Sequence, residues 1–157
     1  MPGLATERFH LGSLLNELVR VALDAARGYQ FAAEHSDDRA LGDWFRTQVE
    51  ARARHAMDMQ REIEDLREFP ASAGSLLGDL HRTWMGMNTP FGATHDVFVV
   101  EACLDGDQHA LETYERVLRT GSWHTRGSAH ALVRAQRDAL LAACKSLRDW
   151  REKKLLP

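Results

Sequence analysis

Gln48, Arg52 and His55 fall on one face of a helical segment whose apolar stripe runs Leu41, Trp44, Phe45, Met59, Ile63 and Leu66. Helical spacing therefore turns three polar side chains inward, where each needs a partner. Two kinds of chemistry suit these residue types. A histidine grouped with carboxylates from other helices could hold a metal ion, whereas an arginine in the same layer would take a carboxylate as its counter-ion. A di-metal centre in a four-helix bundle needs Glu-x-x-His on two helices and an inward carboxylate on the other two, because bridging oxygens must neutralise two cations. Here the corresponding run reads Arg52-Ala53-Arg54-His55, with a cation where the carboxylate should stand.

The elements that must position these residues are legible from periodicity. Leu11, Leu14, Leu15, Leu18, Val21, Ala22, Ala25, Tyr29 and Ala32 repeat at three and four, which predicts a first helix over about 11–35. His35-Ser36-Asp37-Asp38 supplies capping side chains for a restart, and the second helix is expected over about 38–67. The short link makes these two antiparallel. A third helix is expected over 96–120, with Thr94 as its cap and Val99, Ala102, Cys103, Gly106, Ala110, Tyr114 and Val117 inward. A turn at Gly121-Ser122 leads to a fourth over 128–153, with Val133, Gln136, Leu140, Ala143, Cys144, Leu147 and Arg151 on its inner stripe.

Between helices two and three, residues 68–95 carry Pro70, Gly74, Pro90 and Gly92 around Leu76, Leu80 and Trp84, whose spacing predicts a short helix lying on the bundle. The fold class is all-α: a ferritin-like four-helix bundle of one domain over 1–157, with this long crossover making helices two and three parallel. The same crossover offers Leu76, Leu80, Trp84 and Met85 as bundle packing or as a groove for a partner helix.

Composition removes several function classes. The 157 residues contain 20 Lys+Arg against 23 Asp+Glu, net −3, so no strong field favours nucleic acid or an anionic membrane. No apolar run approaches the roughly 18 residues of a membrane span, and the first nine residues lack a signal core, so the expected location is the cytoplasm. Cys103 and Cys144 are too few for a disulfide framework and are expected as reduced, buried thiols in one layer of helices three and four. No Ser-His-Asp order, phosphate loop or inward carboxylate pair points to an enzyme.

Three segments carry a resemblance: Ser75-Leu-Leu-Gly-Asp-Leu-His-Arg-Thr-Trp-Met85, Glu101-Ala-Cys-Leu-Asp-Gly106-Asp107, and Ala110-x-x-x-Tyr114-Glu115. They resemble a bacterial ferritin-like family known as domain of unknown function 2383, over Leu11 to Trp150. That resemblance implies a four-helix bundle and no established activity. A more distant similarity joins the chain to rubrerythrin and bacterioferritin: Phe45 and His55-Ala56 match an aromatic and a His-Ala position of their second helix, and Gly106-Asp107 is similar to their Gly-Glu on the third.

Against that comparison the ligand set is broken. Glu17 and Asp24 lie about 100° from the centre of the first helix's stripe, Ala110 stands where a second acid would be, and the fourth helix offers Gln136, Leu141 and Cys144. At most His55, Asp107 and Asp24 remain as ligands for a single iron, manganese or zinc ion, and a guanidinium nearby would repel it. No cofactor is expected. The polar core layer is Gln48, Arg52, His55, Asp107 and Gln136, with two placements open for Arg52: inward on Asp107 and Asp24 in the metal's position, or snorkelling to water. The expected function is a non-catalytic interaction or stress-related module with a degenerate di-iron site, self-associating as a homo-oligomer, first a dimer; the alternative is a residual metal-binding protein.

Overall fold

The computed structural model describes residues 3–74 and 93–156. Four long helices make up most of it: α1 Leu4–His35, α2 Arg39–Asp65, α3 Ala93–Thr120 and α4 Gly127–Leu155, with a single 3-10 turn at Trp123–Thr125. The protein is an all-α four-helix bundle. α1 begins about two turns before the expected Leu11, because Ala5, Glu7 and Arg8 are good helix formers with nothing to break the turn. α3 begins at Ala93, so Thr94 lies inside the helix rather than ahead of it. The helix expected around Leu76, Leu80 and Trp84, and the groove expected with it, lie outside the described residues.

Local chemistry sets the ends. Asp38 caps α2 by accepting from the Leu41 amide at 3.0 Å. Asp96, buried near the start of α3, accepts from the amides of Asp37 and Asp38 at 2.8 Å each and so ties the α1–α2 link to α3. α2 closes with Arg67 in the left-handed region at φ 62, with Glu68 N donating to Ile63 O at 3.1 Å and Arg67 N to Glu64 O at 2.8 Å, the paired bonds of a Schellman ending. The chain then turns back over α1. Asn16 holds it by donating to Phe69 O at 2.9 Å and accepting from Ala71 N at 2.6 Å, and Gly74 lies so close to the Asp24 carboxylate that a Cβ there would force that side chain to move.

Pairings between helices fix their directions. Near one end of α1, His35 meets His95 of α3; further down, Tyr29 meets Asp107 and Glu17 meets Arg116, so α1 and α3 are antiparallel. α2 and α4 are antiparallel as well, since Asp38 pairs with Lys154 and Glu62 with Arg126. With α1 also antiparallel to α2, helices α2 and α3 run parallel. α1 packs against α2 and α3, and α4 against the same two, which leaves α2 and α3 across the diagonal.

The apolar core falls into two clusters. One joins Leu11 to Ala22 of α1 with Ala56, Met59 and Ile63 of α2, Ala110, Tyr114 and Val117 of α3, and Ala129, Val133 and Leu140 of α4. The other joins Tyr29 to Ala33, Leu41, Phe45, Val99 to Leu104, Cys144 and Leu147. On α2 the break falls between Phe45 and Ala56, and on α3 between Leu104 and Ala110. Arg52 and Asp107 occupy that waist.

Candidate functional site

Arg52 stands one heptad after Phe45 and one before Met59, both fully buried, so the twist of α2 carries its side chain into the core. Asp107 lies midway along α3, three residues after Leu104 and three before Ala110, both buried. Across the diagonal Arg52 Nη2 donates to Asp107 Oδ2 at 2.8 Å, with both side chains 2% exposed. The Tyr29 hydroxyl donates to the same oxygen at 2.5 Å. The guanidinium carbon also lies 5.5 Å from the centre of the Tyr29 ring, within cation–π range. Trp44 and Phe45 pack on that ring, at centroid distances of 6.0 and 5.9 Å, and wall it off from water.

A second strand of the layer runs beside it. The Tyr114 hydroxyl donates to Gln136 Oε1 at 2.8 Å, and Gln136 Nε2 donates to the His55 carbonyl at 3.2 Å. The two tyrosines are positions that spacing counts as apolar. Their sequence signal is chemical: a tyrosine in the middle of a buried stripe has a hydroxyl that must find a partner.

Electrostatics follow from burial. Desolvation pushes the Asp107 carboxyl up from its ordinary range, while Arg52 and the Tyr29 hydroxyl pull it down. With a guanidinium that stays protonated throughout the physiological range 2.8 Å away, the pair is an ion pair at neutral pH. Burial and the Asp107 charge raise Tyr29 well above its ordinary value, which keeps its hydroxyl a donor. Burial first, and then the Arg52 charge, lowers His55 to about 4, so it is neutral at pH 7. Burial raises both thiols, which makes Cys103 and Cys144 poor nucleophiles.

The structure brings Arg52, Asp107 and Gln136 into the core layer and leaves others apart. Gln48 is half-buried on α2. His55 is half-buried, with only its backbone carbonyl bonded to the layer and its Nδ1 shielded and unpartnered. Asp24 is half-buried against Gly74, away from the Arg52–Asp107 pair; the flank position of Asp24 on α1 turns its carboxylate to the returning chain. Arg151 is also displaced from the inner stripe: it reaches outward to Glu101 at 3.0 Å. That pair and Arg137–Glu115 set the α3–α4 register, which places Cys144 opposite the Asp107 turn rather than opposite Cys103.

These residues do not fit a metal centre. Oδ2 of Asp107 is taken by two donors, Asp24 is elsewhere, and the cation beside Asp107 is already an arginine. Among the described residues no three His, Cys, Asp or Glu side chains group as metal ligands. Nor is any described helix long and apolar enough to cross a membrane. The arrangement instead neutralises charge inside the core and joins three helices at one oxygen.

The sequence pattern of a protein family described as "Domain of unknown function (DUF2383)" matches residues 11–120. No curated protein matches the chain.

Proposed function

The chain belongs to the DUF2383 family, and on that premise we propose that it is a ferritin-like bundle whose metal layer has been exchanged for an arginine–carboxylate–tyrosine layer. It then works as a non-catalytic interaction or stress-related module, in the cytoplasm and as a homo-oligomer, rather than as an iron oxidase. One observation carries this reading: Arg52 Nη2 lies 2.8 Å from Asp107 Oδ2 in a fully buried pair at the waist of the core. A guanidinium there supplies the positive charge that metal ions supply in a di-metal bundle, without open coordination positions for substrate or oxygen. The parallel run of α2 and α3 supports the ferritin-like topology. The exposed side chains of Leu4 and Phe9 at the start of α1, and of Phe69, favour self-association.

Elemental analysis of protein produced with iron, manganese and zinc supplied tests the proposal. Metal well below stoichiometric amounts, in wild type and in Asp107→Ala alike, is the expected result. Near-stoichiometric metal that Asp107→Ala removes would replace this reading with a metal site built on His55 and Asp107.

A further inference from the structure

The polar layer leaves two nitrogens over. Arg52 Nε and His55 Nδ1 are both shielded from solvent, and neither has a hydrogen-bond partner. Buried polar atoms in folded proteins are almost always satisfied, by protein or by a trapped guest. The two residues stand three apart on α2, so the helix sets their side chains on adjacent positions of one face. That face turns toward α4. Glu62, two turns beyond His55 on the same side, bonds Arg126, and the His55 carbonyl accepts from Gln136. The residues that α4 buries there are Gln136, Leu140 and Ala143. The Gln136 oxygen accepts from Tyr114, and it is bonded to neither of the two nitrogens.

We propose that Arg52 and His55 form a site for a small monovalent anion of halide or formate size, held by Arg52 Nε–H and by Nδ1–H of the neutral His55 ring. This rests on the reading above that Arg52 belongs to the core layer. Asp107 accepts from Nη2 of the guanidinium, and the Nε donor beside it keeps no acceptor. The same positive charge helps hold His55 unprotonated. The groups near this spot are Tyr29 from α1, Asp107, Cys103 and Tyr114 from α3, Gln136 and the Cys144 thiol from α4, and on α2 itself Asp58 and Arg54, which act on His55 in opposite senses. His55 is half-buried rather than sealed, so an ion reaches Arg52 past its ring. A doubly charged anion would lose far more hydration than two donors return.

Bromide is the probe. In thermal melts at fixed ionic strength, with sodium fluoride replaced stepwise by sodium bromide, wild type should show a saturable rise of about 3 °C. Arg52→Lys, which keeps the charge and loses the Nε donor, should show none. His55→Phe keeps the ring volume at a half-buried position and loses Nδ1, and it should show none either. Crystals soaked in bromide should give an anomalous peak within hydrogen-bond reach of both nitrogens. A water in place of that peak, or an equal rise in His55→Phe, would overturn the proposal. A water-filled site would fail here while the protein stayed metal-free; a metal site at Asp107 would fail the elemental analysis instead.

Discussion

Asp107 Oδ2 accepts from Arg52 and Tyr29 at once, so the cost of burying each polar group is offset by its neighbours. Removing the acceptor strands a buried cation. Asp107→Ala is predicted to cost about 3 kcal/mol or more, measured by urea unfolding, and Tyr29→Phe about 1 kcal/mol, since it leaves the ion pair in place. His55 gives a pH signature with a definite sign. Its folded value, about 4, lies below the ordinary 6.5, so the unfolded chain takes up the proton first. The stabilisation is whole above pH 6.5 and is lost as pH falls toward 4, by about 2 kcal/mol after allowance for its partial exposure. His55→Gln should flatten the stability profile in that window; an unchanged profile would assign the acid loss to other groups. Spacing put Arg52 on the inner stripe, because Phe45 and Met59 bracket it by one heptad each, but it left open whether the guanidinium stays inward or snorkels to water. It did not show Tyr29 as the third member, since in a periodicity count a tyrosine is one more apolar residue.

At the level of elements, two local features fix how the helices begin and end. Asp96 holds the amides of both Asp37 and Asp38 from a buried position. Asp96→Ala is predicted to lower stability by about 2 kcal/mol and to speed amide exchange at residues 37 and 38. Arg67 ends α2 at φ 62, a conformation that costs a side chain but not a glycine. Arg67→Gly should therefore raise stability by about 0.5–1 kcal/mol, read as a shift of the urea midpoint at unchanged slope. All four helices were legible, from Leu11, Phe45, Val99 and Val133 onward. Two shifts were not. Val19 and Ala33 are buried, whereas Val21 and Ala25, which were expected inward, are half-buried. Asp24 was legible only as a flank position, since its neighbour Gly74 belongs to a returning chain that helical periodicity does not place.

In the whole molecule the Arg52–Asp107 pair is the polar joint between two apolar clusters, and it bridges the two helices that meet only across the diagonal. A buried ion pair of this kind adds little net stability over apolar packing, but it penalises every register that separates its partners. Because an ion pair rather than a metal is assigned to the waist, incubation with excess EDTA should leave the melting temperature within about 1 °C, whereas removing a structural metal would lower it by far more. The most direct measurement is a double-mutant cycle, with wild type, Arg52→Met, Asp107→Ala and the double variant unfolded in urea. The pair predicts a coupling of at least about 2 kcal/mol, with the double variant more stable than Asp107→Ala alone. Losses that add to within about 0.5 kcal/mol would contradict it, and would mean that Arg52 does not depend on Asp107 in the core.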